Sequence, residues 1–201
     1  MNYKKELKEF KEFKKNYKFT QVPIVNKDDK LYCMDTLIKD ESGYYGESDK
    51  WINVGYSLKG MYPKLLSNLF PYAFKFKGYK LHSIESFFQA IKFPSIKMQK
   101  KLYKYSGKEA LVLQKATDYD WKKSGYIYFK GKKIKRDSLE YDSLLDELYI
   151  SAIRNPFYRN AIKNCSLPII HAIGKTSKTE TVFTRYEFEY MLNCLHAFLN
   201  R

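Results

Sequence analysis

Three polar side chains share one face of a predicted helix in the segment from Leu66 to Phe93. Glu85, Gln89 and Lys92 fall at i, i+4 and i+7, so they form a stripe along one side of that helix. An acid, an amide and an amine in one stripe suit proton transfer and the stabilisation of a developing charge. Because aromatic residues surround the stripe, we interpret it as one wall of a polar cavity.

Each of these residues also has a purely structural explanation. Ser83 is a good N-cap, which places Glu85 in the first helical turn, where an acid suits the helix dipole. Lys92 is equally typical of a solvated helical lysine. Asn68, in the preceding turn, offers a donor and an acceptor to a base edge or a ribose hydroxyl, yet turn asparagines often bond their own backbone. The residues alone leave both interpretations open.

The elements that must position this stripe are a hairpin before it and a proline after it. Ala73 to Phe76 and Tyr79 to Leu81 flank Lys77-Gly78, where glycine accepts the positive φ of a tight turn. The helix is predicted to end at Pro94. A second hairpin is predicted from Tyr126 to Phe129 and Lys132 to Lys135.

The remaining pattern predicts an α+β fold, a mainly helical single domain with short β-hairpins and a small sheet. Thr184 and Glu187 form a capping box that opens the last helix. The other predicted elements are helices over Ser95 to Tyr105, Lys108 to Ala116 and Ser138 to Asn155, a helix opened by Pro156, and a buried strand over Leu167 to Ile173.

Residues 1–45 are predicted to extend a domain that covers residues 46–201. The first twenty residues form a basic amphipathic pattern, and strand-like runs follow at Leu31 to Lys39 and Trp51 to Ser57. We favour a helix that docks on the domain over an arm that binds nucleic acid. Its apolar stripe is regular and consists of Tyr3, Leu7, Phe10, Phe13 and Tyr17.

Composition restricts the protein class. The chain has 201 residues, of which 44% are hydrophobic and 17% aromatic, and this argues against disorder. Apolar runs are shorter than a membrane span, and the N-terminus lacks the apolar stretch of a signal peptide. Three scattered cysteines and three scattered histidines fit neither a disulfide framework nor a zinc site. We therefore expect a cytoplasmic protein with no metal and no membrane partner, and buried thiols at Cys165 and Cys194.

The net charge of +15 has two interpretations. It serves solubility in a lysine-rich chain, or it attracts a polyanion or a phosphate-bearing substrate. Charge alone does not separate DNA, RNA and a free nucleotide.

Three segments carry a resemblance to a known family. LSNLFP, the hairpin and then SIESFFQAIKF resemble the NADAR (YbiA-like) family, whose hallmark is a Ser-Asn-Phe-like turn followed by a helix with Glu, Phe-Gln-Ala and Lys-Phe. WKKSGYIYFKGKKIKRDSLEY and SLPIIHAIGKTSKTETVFTRYEFEYMLN extend the resemblance downstream. The second of these is similar to the branch associated with DNA ADP-ribosyltransferase toxins. The resemblance covers roughly Lys50 to Arg201.

The resemblance implies an N-glycosidase that needs no cofactor. Loss of the base leaves an oxocarbenium-like ribose, so Glu85 would stabilise that charge or activate water. Lys92 would protonate the leaving group, or form a transient adduct at the sugar carbon if burial lowers its pKa. Six further positions are expected to bind substrate: Asn68, Gln89, Trp121, Arg136, His171 and Gly174.

The substrate implied is ADP-ribosylated guanine in nucleic acid, and the partner implied is a cognate ADP-ribosyltransferase toxin from the same operon. Two departures from the family pattern, Asn164-Cys165 and GKTSKTETVFT, favour this substrate over its alternative, a ribosylaminopyrimidine phosphate of riboflavin synthesis. The other alternative is a protein that binds nucleic acid or ADP-ribose without turnover.

Overall fold

Helices and short hairpins alternate along the chain in the computed structural model, which describes residues 2–117, 121–165 and 168–201, and at positions 123 and 124 the backbone alone. The helices are α1 (Tyr3–Asn16), α2 (Tyr62–Leu65), α3 (Ile84–Ala90), α4 (Ile96–Leu102), α5 (Gly107–Lys115), α6 (Leu139–Ala152), α7 (Pro156–Asn164) and α8 (Arg185–Leu199), with a 3-10 helix at Trp121–Ser124. The strands are β1 (Val25–Lys27), β2 (Lys30–Cys33), β3 (Thr36–Asp40), β4 (Gly43–Tyr44), β5 (Ile52–Asn53), β6 (Phe74–Phe76), β7 (Tyr79–Leu81), β8 (Tyr126–Phe129), β9 (Lys132–Lys135) and β10 (Ile169–Ile170).

The strands pair in four small groups. β1 to β4 form an antiparallel meander in sequence order, and the β6–β7 and β8–β9 hairpins stand apart from it. β10 pairs in parallel with β5, so the chain returns late to a strand formed early. The single-domain α+β class predicted from the sequence is confirmed.

Helix α1 packs on the domain through its aromatic side. Phe10 is fully buried, and its ring lies 5.3 Å from that of Phe198 in an edge-on arrangement. The buried carboxylate of Glu6 accepts a hydrogen bond of 2.6 Å from Arg159. The docking interpretation is confirmed by this packing, whereas the domain boundary after residue 45 stays a prediction.

The hairpin before α3 forms as the sequence predicts. Lys77 and Gly78 have positive φ values of 44° and 89°, as a two-residue type I′ turn requires. The hydroxyl of Ser83 accepts from the backbone N–H of Ser86 at 3.0 Å and caps α3. The helix begins where we expected.

The end of α3 differs from the prediction. The helix stops at Ala90, and Lys92 lies in the turn that follows. The carbonyl of Ile91 accepts instead from the backbone N–H of Tyr128 on β8, at 2.7 Å. The neighbouring hairpin therefore takes over a backbone group that a longer helix would use, close to the limit that Pro94 imposes.

Other boundaries divide into confirmed and corrected ones. The second hairpin and the Thr184–Glu187 capping box are confirmed. The run from 31 to 39 is two strands, because Met34 and Asp35 form a turn with φ of 51° and 62°. The run from 51 to 57 keeps only β5, and that from 167 to 173 keeps only β10, with residue 167 outside the described residues.

All three cysteines are buried and free, so the expectation of core thiols at Cys165 and Cys194 is confirmed. In the described part of the chain, no helix combines the length and the apolar character needed to cross a membrane.

Candidate functional site

The turn before the hairpin and the first turn of α3 meet at Asn68 and Glu85. The backbone N–H of Glu85 donates to the carbonyl of Asn68 at 2.9 Å, which satisfies one of the free N–H groups at the helix start. The hydroxyl of Tyr149, on α6, donates to Oδ1 of Asn68 at 2.9 Å. Because Oδ1 is occupied, the amide Nδ2 of Asn68 is the donor left for a ligand.

The predicted polar stripe forms a connected chain of hydrogen bonds. Nε2 of Gln89 donates to Oε1 of Glu85, and Nζ of Lys92 donates to Oε1 of Gln89 at 2.6 Å. Gln114, on α5, accepts a second bond from Lys92 at 3.3 Å. Gln89 therefore links the acid to the amine through both ends of its amide. It positions them, and the amide atoms expected to orient a substrate are already engaged.

Burial disfavours the charged forms of Glu85 and Lys92, so it shifts their pKa values in opposite directions. Burial raises the pKa of Glu85 above its usual value, although the hydrogen bond from Gln89 and the charge of Lys92 oppose the shift. Burial lowers the pKa of Lys92 to about 8; Glu85 opposes that change, while the charges of Lys122 and Lys115 add to it. An acid and an amine that titrate closer to neutrality are suited to proton transfer at physiological pH.

These groups open into a polar cavity of about 230 Å³. Sites that enclose a drug-sized ligand usually measure about 300 to 1,000 Å³, so this cavity suits one ring-sized group. The lining residues come from α3, the turn before the hairpin, the segment after β10 and the start of α8: Asn68, Glu85, Phe88, Gln89, Lys92, His171, Ile173, Gly174, Lys175, Thr181, Val182, Phe183 and Phe188.

His171 enters the cavity wall as a neutral imidazole. Its Nδ1 lies 2.7 Å from the carbonyl of Val54, which only accepts, so Nδ1 carries the proton and Nε2 keeps a lone pair. Burial lowers the pKa of His171 to about 4, which keeps the ring neutral over the physiological range. Gly174 lies against the same ring, and a Cβ at this position would overlap Cδ2 of His171. Both residues therefore lie at the cavity, where we expected substrate contacts.

Arg136, one of the six positions expected to bind substrate, does not line the cavity. Its buried guanidinium donates to the carbonyl oxygens of Lys178 and Thr181, and it pairs with Glu187 at 3.4 Å. These carbonyls belong to the wall loop, residues 175–183, which supplies one side of the cavity. Arg136 holds that loop through its two terminal nitrogens, whereas its buried Nε has no hydrogen-bond partner among the described residues.

Trp121 also lies beside the cavity and does not line it. Its ring centre is 4.9 Å from Nζ of Lys92, and 7% of the residue is exposed. A buried ring over an ammonium group favours the charged form of the lysine. Stacking of Trp121 on a base stays a prediction.

A wider groove of about 770 Å³ runs between α1, the β6–β7 hairpin and the end of α6. Its one acid, Glu147, forms an ion pair with Lys77, and its other charged lining residues, Lys75 and Arg154, are both basic. Because this groove offers no free carboxylate among the described residues, the smaller polar cavity is the better candidate site.

Several residues of the site are not evident in the sequence. Gln114 and Tyr149 complete the hydrogen bonds of Lys92 and Asn68, and the ring of Phe183 stacks on Phe88 with centroids 4.8 Å apart. Asn68 and Tyr149 are 81 positions apart, and no local pattern signals that contact. Near Phe183, the capping box at Thr184 is the one local sequence pattern that could have pointed to this part of the site.

The comparison with known proteins gives a different family from the one that the sequence motifs suggested. The model of the family described as bacteriophage protein GP30.3 matches residues 61–197, about two thirds of the chain. Neither the curated proteins nor the solved structures contain a match. The resemblance to the NADAR family is wrong, because the segment from Leu66 to Phe93 that suggested it lies inside the matched range. The match gives no support for an ADP-ribose hydrolase, and the expected toxin partner stays a prediction. The chain belongs to the bacteriophage protein GP30.3 family.

Proposed function

We propose that the polar cavity hydrolyses an N-glycosidic bond between a ribosyl group and a nitrogenous base. The observation that carries the proposal is the hydrogen-bonded chain from Glu85 through Gln89 to Lys92 at the wall of a ring-sized cavity. An acid and an amine held on opposite sides of one amide suit a reaction in which positive charge develops on a sugar while its leaving group needs a proton.

In this mechanism, Glu85 acts as a carboxylate and Lys92 as an ammonium group. The bond from the ribosyl carbon to the base nitrogen breaks, and the electron pair leaves with the base, which takes a proton from Lys92. The carboxylate of Glu85 stabilises the ribosyl cation and accepts a proton from the water that adds to it. The products are the free base and a ribose with a hydroxyl at the former bond.

Two neighbouring groups support sugar binding. Nδ2 of Asn68 is left as a donor, and Nε2 of His171 is left as an acceptor, so a ribose hydroxyl finds both kinds of partner. The cavity holds one ring, which leaves the phosphates of a nucleotide substrate outside it, near the exposed Lys175.

The substrate is identified by a release assay with two arms. One arm contains an oligonucleotide that carries ADP-ribosylated guanine, and the other contains a ribosylaminopyrimidine phosphate. We expect release of the ribosyl product in one arm, and its loss in the variants Glu85→Gln and Lys92→Met. A protein that binds without turnover releases nothing in either arm, and that result would reject the proposal for both substrate classes. Full activity of both variants would show that the cavity is not the catalytic site.

A further inference from the structure

We propose that α4 and the turn after it carry a docking surface for the phosphate backbone of a nucleic acid, formed by Lys97, Lys100, Lys101 and Lys104. These four residues, the lysine face, line one open groove of about 690 Å³. Lys97, Lys100 and Lys101 lie on one side of α4, which is seven residues long, and Lys104 lies in the turn two residues after its end. The inference concerns binding and goes beyond the proposed hydrolysis.

The positive charges of the lysine face have no carboxylate partners among the described residues. In the part of the chain that the structure describes, none of its four side chains pairs with a carboxylate. Like charges at these spacings repel and destabilise the helix slightly. The exposed basic helix α1 differs, because Lys5 pairs with Glu9 and Lys15 with Glu12. A cluster without counter-charges leaves its field available to an external polyanion.

The charge is concentrated in this part of the chain. Residues 94–135 contain twelve lysines and three acidic residues, which gives a net charge of +9 out of +15. The hairpin β8–β9 extends the lysine face, since its turn packs on the first turn of α4. The backbone N–H of Lys130 donates to Oε1 of Gln99 at 3.3 Å, and Gly131 lies against Ile96. The backbone of Lys130 therefore lies next to the start of α4.

The chemistry of the face favours nucleic acid over a membrane or a protein. Leu102 buries the apolar side of α4 in the domain, and the exposed apolar residues beside the lysines, Ile96 and Tyr105, offer too little area to insert into lipid. Apart from the lysines, only Ile96 and Tyr105 line the groove, which is too little apolar area for the centre of a protein interface. Repeated ammonium groups with one exposed tyrosine suit a phosphate backbone and its bases.

The lysine face lies close to the polar cavity. Lys97 follows Lys92 by five residues, so their Cα atoms are at most about 18 Å apart. A backbone bound on α4 would therefore pass within a few nucleotides of the cavity. Binding itself needs no modified base.

Fluorescence anisotropy with unmodified nucleic acid tests the proposal. The probes are a labelled 20-nucleotide oligothymidine and a mixed 20-base-pair duplex, titrated at several salt concentrations. The test variant replaces all four lysines of the face by glutamine. The control variant makes the same change at Lys4, Lys5, Lys8 and Lys15, which are exposed on α1, so that both variants lose four charges.

We expect the α4 variant to bind about a hundredfold or more weakly at 0.1 M salt, and the salt slope to fall by roughly three, since each lost phosphate contact removes about 0.7 to 0.9 from the slope. The α1 variant should change affinity by less than about tenfold. Equal losses of affinity in the two variants would show that binding depends on the net charge alone, and this would overturn the proposal. It would also be overturned if the wild-type protein bound neither probe at 50 mM salt, or if only vesicles of anionic lipid bound through α4.

Discussion

The polar cavity and the lysine face are neighbours along the chain and use charge in opposite ways. In the cavity, Glu85, Gln89, Lys92 and Gln114 form a closed set of hydrogen bonds, and burial shifts the pKa values of the acid and the amine. On the lysine face, exposed ammonium groups face solvent without carboxylate partners among the described residues. The proposed hydrolysis in the cavity depends on the identity and geometry of single groups. The proposed binding of nucleic acid by the lysine face depends on the number of charges.

The largest effect should come from one isosteric change in the cavity. Glu85→Gln removes the charge, while the new amide oxygen can still accept from Gln89, so the fold should be unchanged. We expect kcat/KM for ribosyl release to fall by about 10² to 10⁴, the usual contribution of a positioned acid or base. The matched control is Glu12→Gln, the same change on the exposed side of α1.

Single-turnover rates with the released base as readout check this prediction. Wild-type activity in Glu85→Gln would remove Glu85 from the chemistry. An equal loss in Glu12→Gln would show that the effect is not local. Circular dichroism of both variants separates lost chemistry from lost folding.

The sequence predicts this part of the molecule well, and the reason is local. The Lys77-Gly78 turn, the Ser83 cap and the spacing of Glu85 and Gln89 depend on residues a few positions apart. Local sequence patterns do not show which distant residues contact the site after folding. From the sequence we expected Arg136 to bind substrate, and only the folded wall loop shows that its terminal nitrogens donate to two loop carbonyls. The three segments that suggested the NADAR family also lie within the range matched by the bacteriophage protein GP30.3 model, so they do not distinguish the two families.

The next effect concerns the wall loop that encloses the cavity. Arg136→Met leaves Glu187 and two loop carbonyls without their buried partner, so we expect a loss of about 3 kcal/mol in the free energy of unfolding, at the lower end for a broken buried pair. The control, Arg201→Met, breaks an exposed pair with Glu9 and should cost less than about 1 kcal/mol. Urea denaturation measures both. If Arg136 instead bound a substrate phosphate, its replacement would raise KM and leave stability unchanged.

A smaller effect is expected from pH, and its sign identifies the form of Lys92 that acts. The pKa of Lys92 is lowered to about 8, so an ammonium acid is lost as pH rises through 8 and kcat/KM should fall about tenfold per pH unit above it. Lys92→Arg keeps the positive charge but does not release its proton in this pH range, so it should lose most of the activity at every pH and show no decline centred on pH 8. A rise in activity through pH 8 would instead indicate that the neutral amine reacts. The pH profile of kcat/KM for both proteins decides between these outcomes.

The smallest effect should come from a single charge on the lysine face. Lys101→Gln removes one of several equivalent ammonium groups, so we expect affinity for the oligothymidine to fall about fivefold to eightfold at 0.1 M salt and the salt slope to fall by about 0.7 to 0.9. Lys97→Gln should do the same, and the double variant should show close to the sum of the two free-energy changes, because each lysine releases counterions at its own phosphate. Anisotropy titrations of the three variants measure this additivity. A single lysine whose loss abolishes binding would mean that the face, like the cavity, contains one positioned group, and the distinction between the two regions would fail.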